Sequence, residues 1–162
     1  TLTDQIVQFK KRYTRFKAYS EADLNDLFTS GDLEGAQRFE ATELRTGVAI
    51  NDGTGRFTYE ALPLAAQQAP VNDILVEDLN ADGAPDLLLV GNFYPNEPVF
   101  GQNDASFGTV LTGDGSGHFV ALPMAKSGLQ LDGDARHLVY LPELGVIVVT
   151  QNEGAVRSFR LK

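Results

Sequence analysis

Two hydrophobic rhythms divide this chain. In its first forty-odd residues Ile6, Val7, Phe9, Tyr13, Phe16 and Tyr19 recur at roughly helical spacing among basic residues. Ser20-Glu21-Ala22-Asp23 matches a capping box and predicts a helix with Leu24, Leu27 and Phe28 on one face and Gly31 at its end. From Leu44 onward the pattern changes to short runs rich in branched and aromatic residues, separated by glycine turns, which predicts strands. Residues 46–50 lead into Asn51-Asp52-Gly53-Thr54-Gly55-Arg56-Phe57, and residues 58–62 follow. The unit returns at 109–112, Gly113-Asp114-Gly115-Ser116-Gly117-His118-Phe119 and 120–122. Both copies continue into nearly the same phrase, Ala61-Leu62-Pro63-Leu64-Ala65 and Ala121-Leu122-Pro123-Met124-Ala125.

The offset is 62 residues between the turns and 60 between the Ala-Leu-Pro phrases. An internal repeat of that length, made of short strands, points to propeller blades. After each hairpin a second strand pair is expected. In the first copy it is 74–77 and 87–91, joined by an acidic loop; in the second it is 137–141 and 146–150, joined by Pro142-Glu143-Leu144-Gly145. Residues 155–161 add one more strand, for about nine in all. The Asp-Gly-x-Gly-x-Phe segments are glycine-rich, but no helix follows them as a phosphate loop requires, so they read as hairpin turns.

The joining loop of the first copy is Asp78-Leu79-Asn80-Ala81-Asp82-Gly83-Ala84-Pro85-Asp86. Oxygen-bearing side chains occupy positions 1, 3, 5 and 9, and Gly83 at position 6 can turn the chain with a positive φ. Calcium takes six to eight oxygens at roughly 2.3–2.6 Å, and alternate residues of a tight loop can converge on it. The carbonyl of Ala84 is a natural further ligand. An EF-hand would need an acidic residue at position 12, which is Leu89, and helices on both sides, where this loop has apolar strand-like runs. The alternative is an acidic surface turn without an ion.

The stretch from Val76 through Phe93 resembles an FG-GAP (VCBS-type) repeat of a β-propeller, the repeat also found in integrin α-chains. The order of segments resembles the C-terminal end of large FG-GAP repeat proteins of Bacteroidetes-type bacteria. The resemblance covers residues from about 45 onward. It implies that Asp78, Asn80, Asp82 and Asp86 are calcium (Ca2+) ligands with the Ala84 backbone oxygen. It also implies an extracellular, outer-membrane-surface or periplasmic setting. The expected fold is mainly β: about two four-stranded antiparallel blades of an incomplete propeller (45–162) behind a helical N-terminal segment (1–44).

Composition narrows the function. The 162 residues suit one full-sized core, and 43% apolar with 22% charged content is ordinary for a globular domain. There is no cysteine, hence no disulfide framework or thiolate metal site. Residues 1–19 hold five basic residues against Asp4, or +4 of the chain's −9, so the remainder carries −13. That acidic body argues against nucleic acid as a partner and suits divalent cations. No apolar run approaches the length of a membrane span. The start at Thr1 suggests a processed product or an excised fragment.

Chemistry-bearing residues outside the acidic loop are sparse. Between strands, a long polar loop offers Asn92, Tyr94, Asn103, Asp104 and Ser106 as a carbohydrate or peptide site, or as side chains that satisfy turn backbone. His118 and His137 lack partners at zinc spacing, and no Gly-x-Ser-x-Gly elbow is present. The expected function is a calcium-stabilised, non-catalytic surface binding or interaction module for a protein or carbohydrate ligand. The alternative is part of a glycan-processing hydrolase or lyase with catalytic residues partly outside this chain. Because two blades leave apolar faces uncovered, Phe9, Phe16, Leu24, Leu27 and Phe28 are expected to cover part of the β-region. Further blades of a larger chain, or further copies, would cover the rest.

Overall fold

The computed structural model describes residues 2–161. The chain divides into two compact units, 1–42 and 43–162.

The first unit holds four short helices, α1 (Leu2–Gln5), α2 (Val7–Arg12), α3 (Phe16–Ser20) and α4 (Leu24–Leu27). Its nucleus is aromatic: Phe9 is buried and meets Phe28 edge to face at 5.3 Å, and Tyr13 meets Tyr19 at 5.7 Å. Two expectations are corrected here. The capping box is built by Asp23 and Asp26, not by Ser20 and Asp23, and Ser20 ends α3. One carboxylate oxygen of Asp23 accepts the N–H groups of Asn25 and Asp26, while Asp26 accepts the N–H of Asp23. A carboxylate that holds two donors outcompetes a serine hydroxyl as a cap. The helix then ends at Leu27, four residues before Gly31, because Phe28 is already extended. Phe16 is 94% exposed, and Leu24 is also exposed.

The second unit is all antiparallel β, with strands β1 (Gly47–Asn51), β2 (Phe57–Ala61), β3 (Val71–Glu77), β4 (Asp86–Gly91), β5 (Thr109–Gly113), β6 (Phe119–Ala121), β7 (Asp134–Leu141), β8 (Val146–Asn152) and β9 (Arg157–Arg160). They form three sheets in the orders β1-β2, β3-β4-β5-β6 and β7-β8-β9. The expected grouping into two four-stranded sheets is therefore corrected to sheets of two, four and three strands. The sequence repeat runs hairpin then strand pair, but the complete sheet joins the strand pair of the first copy to the hairpin of the second. The reason lies in β4, whose six residues are all buried and need a strand on each side. The Ala-Leu-Pro phrases mark where the chain leaves one sheet for the next. After Pro63 a 3-10 turn (Leu64–Gln67) leads to β3, and after Pro123 a short helix α5 (Met124–Ser127) leads toward β7.

Strand alternation sends the side chains of β4 into two separate clusters. Leu87 and Leu89 pack with Leu62, Ala66 and Leu111 on the side of the first sheet. Leu88 and Val90 pack with Leu131, Ala135, Ile147 and Val149 on the side of the third. The middle sheet is thus covered on both faces, which accounts for a strand that reads Leu-Leu-Leu-Val without alternation.

Repeat equivalence extends to backbone detail. In β3–β4 the register shifts between Val71 and Asp73, and in β7–β8 it shifts between Ala135 and His137. Each bulge leaves one residue unpaired, Asn72 and Arg136, and both are used. Asn72 Nδ2 donates to the carbonyls of Ala135 (2.7 Å) and Asn92 (3.0 Å), which ties the second sheet to the third. Arg136 donates to buried Asp134 at 2.5 Å and lies over the Phe93 ring. The glycine turns match as closely. Thr54 donates through N–H and hydroxyl to Asp52 at 2.8 and 2.7 Å, and Ser116 does the same to Asp114 at the same distances. These bonds, the hydroxyl first, hold both aspartates below the ordinary value of 3.8.

Candidate functional site

The acidic loop joins β3 to β4, and its turn is built by its own side chains. Ala81 and Gly83 take positive φ, 62° and 88°, which turns the chain so that the N–H groups of Asp82, Gly83 and Ala84 point inward. Asp78 accepts the N–H of Asp82 (3.1 Å) and of Gly83 (2.9 Å) on its two oxygens. Asn80 Oδ1 also accepts the N–H of Asp82 (2.9 Å), and Asp82 accepts the N–H of Ala84 (2.8 Å). Asn80 Nδ2 donates to the second oxygen of Asp82 at 2.8 Å. Positions 1, 3 and 5 of the motif are therefore gathered around one backbone turn.

Asp86 plays a different part. It is fully buried, and its two oxygens accept N–H bonds from Leu79 (3.1 Å) and from Gly113 at the end of β5 (2.9 Å). Gly113 is required for that approach, because a Cβ there would collide with the Pro85 carbonyl. Asp86 thus fastens the loop to the neighbouring hairpin as well as closing it.

As a donor set, Asp78, Asn80, Asp82, Asp86 and the Ala84 carbonyl are all oxygen, which fits a hard cation rather than a transition metal. Carboxylate oxygens that already accept one N–H retain lone-pair capacity for an ion. Among the described residues no three His, Cys, Asp or Glu side chains stand together in a metal-holding group. The loop is thus held by backbone donors in the arrangement described.

The polar loop after β4 divides into two groups. Asn92, with φ at 87° and 2% exposed, donates from Nδ2 to the carbonyls of Ser106 and Gly133, both at 2.8 Å, and accepts the Ser106 N–H at 3.0 Å. All its amide groups are engaged inside the fold, and Ser106 Oγ accepts the Gly108 N–H. Asn103 pairs through its backbone with Phe93, while Tyr94 is half-buried and Asp104 is exposed. The structure does not gather these five side chains into a cleft.

The sequence reading missed a cleft of about 700 Å³ between the second and third sheets. Leu88, Val110, Leu122, Ile147 and Phe159 give it apolar walls, and Asn80, Lys126 and Arg160 add polar lining. Leu79, Asn80 and Asp86 of the acidic loop line it, and so do Gly128 and Leu129. The signal was present in the second repeat, which has β7, β8 and β9 but lacks a counterpart of β6 among the described residues.

No helix among the described residues is long and apolar enough to cross a membrane. No protein-family model, no curated protein and no solved structure matches this chain.

Proposed function

We propose that this chain is a calcium-stabilised, non-catalytic interaction module with sheets arranged as blades of an FG-GAP-type propeller, working outside the cytoplasm. The observation that carries the reading is the loop between β3 and β4, with Asp78, Asn80 and Asp82 folded around one turn and Asp86 anchored at its base. Asp78 and Asp82, gathered with Asn80 around one turn, put like charges close together, and a divalent cation relieves that repulsion. Asp78, Asn80, Asp82, Asp86 and the Ala84 carbonyl would hold the ion. When bound, calcium supplies charge neutralisation and rigidity rather than bond-making chemistry. Asp86 then passes that rigidity on, because it also holds Gly113 and so couples the loop to β5.

The test is a calcium titration followed by calorimetry and thermal melting. One ion per chain is expected, with a dissociation constant on the order of 10⁻⁴–10⁻³ M, the range of extracellular modules. At 100 times that constant the folded state gains about 2.7 kcal/mol by mass action. Asp82→Ala, which removes an exposed loop carboxylate and leaves Asp86 in place, abolishes the gain. A melting curve identical in calcium and in EDTA overturns the reading.

A further inference from the structure

Building on the calcium reading of the acidic loop, we propose that the ion governs the order of the neighbouring turn, residues 113–117, and so of the exposed side chains at its tip. The two glycine turns share a sequence pattern and differ in what holds them. In the first, Asn51 Oδ1 accepts the N–H groups of Gly53 (2.9 Å) and Gly55 (3.4 Å), so the turn is braced by its own side chain. The counterpart of Asn51 in the second turn is Gly113, which has no side chain to offer.

The second turn is held from outside instead. Gly113 N–H donates to Asp86 Oδ1 at 2.9 Å, and the Pro85 carbonyl fills the space a Cβ would need. A Cβ at Gly115 would stand 3.8 Å from that of Ala84. On the other side Gly117 lies against Ile50 of β1, and His118 Nδ1 is 3.2 Å from a Glu60 carboxylate oxygen of β2. In the first turn a Cβ at Gly53 or at Gly55 would meet nothing within 4 Å. The second turn is thus seated between the acidic loop and the first sheet, while the glycines of the first face open space.

Ion and turn share one side chain. Asp86 would hold the ion, and it already accepts the Gly113 N–H. Whichever partner is in place fixes its rotamer and the backbone beside it, and the other then binds without that entropy cost. Such coupling is reciprocal: the ion steadies the turn, and a steadier turn raises the affinity for the ion. Asp114, Ser116 and His118 are exposed at the tip, so the steadied segment belongs to the surface a partner meets. The first turn, braced by Asn51, gains nothing from the ion and is the built-in control.

The probe is calcium chloride titrated into the whole chain, with calorimetry reporting affinity and amide exchange reporting order. The amides of Asp114 and Ser116 make the same turn bonds as those of Asp52 and Thr54, so the two pairs compare directly. With the ion bound, exchange at Asp114 and Ser116 is expected to slow by about fivefold or more, while Asp52 and Thr54 are unchanged. Ile50→Ala, which removes support of the turn from the first sheet, is expected to weaken calcium binding about fivefold. Val148→Ala, in the third sheet, leaves the affinity as it was. Unchanged affinity in Ile50→Ala, or slowing confined to residues 78–86, overturns the proposal and leaves the calcium reading standing. Equal slowing in both turns also overturns it, because the ion then stabilises the whole fold by mass action. A titration in which no calcium binds overturns the calcium reading, and this proposal with it.

Discussion

The hairpins β3–β4 and β7–β8 share a bulge and a register but not a turn. The first closes through eight residues, 78–85, that hold Asp78, Asn80 and Asp82, with Asp86 opening β4; the second closes through a 3-10 turn (Pro142–Leu144) ended by Gly145 at φ 59°. A compact turn closes the same hairpin, so the acidic loop is not needed to pair the strands. It is an addition, and its carboxylates require a reason other than hairpin closure. The hairpins also differ in cover. β4 lies in the middle sheet and is buried on both faces, whereas β8 buries Ile147 and Val149 and leaves Val148 half-covered.

The largest expected effect breaks the equivalence of these two strands. Leu88→Ala, at 2% exposure, should cost about 3 kcal/mol of unfolding free energy, as large-to-small changes in a packed core do. Val148→Ala, at the matching position of β8, should cost about 1 kcal/mol or less. Denaturant melts of both variants check this, and equal losses would show that the third sheet is covered as fully as the second.

A smaller effect sharpens the difference between the loops. Asp86 matches Val146 in the other hairpin, and two part-buried N–H groups depend on it. Asp86→Ala leaves the Leu79 and Gly113 donors without their partner and should cost about 2 kcal/mol even in EDTA. If the loss appears only in calcium, Asp86 is a ligand without the anchoring part assigned to it.

The smallest effect concerns what the two copies share. Asp52 and Asp114 both titrate below 3.8, first because of the hydroxyls of Thr54 and Ser116. A carboxylate with a depressed folded-state pKa contributes stability above its ordinary value, and that contribution is lost as pH falls through the folded pKa. Carboxyl carbon shifts followed by NMR should show both residues titrating late in acid. Thr54→Ala and Ser116→Ala should each return only its own aspartate toward 3.8.

Much of the β-region was legible because short-range chemistry decides it. The Asp-Gly-x-Gly turns, the nine strands and the double burial of residues 87–90 follow from glycine positions and from an unbroken apolar run. Sheet membership was not legible, since similarity between repeats does not say whether a hairpin pairs with the strands before it or after it. The burial of β4 decided that. In the N-terminal unit Ser20-x-x-Asp23 and Asp23-x-x-Asp26 overlap as caps, and the stronger acceptor prevailed. In the acidic loop the residues were legible, but the anchoring of Asp86 on Gly113 depends on a contact across 27 positions. Asn92 drew notice as a polar loop residue, yet only its burial shows that its amide is engaged by Ser106 and Gly133.

The ties between the second and third sheets have a mechanical consequence. Asn72 to Ala135, Asp73 to the Leu138 N–H and Asn92 to Gly133 all lie at one end of the strands, and the cleft lies at the other. The two sheets are bound like facing pages, stitched along the spine and parted at the fore-edge. A small rotation about the stitched end moves the far end most, so the width beside β9 can change with little disturbance of the bonds at the pivot.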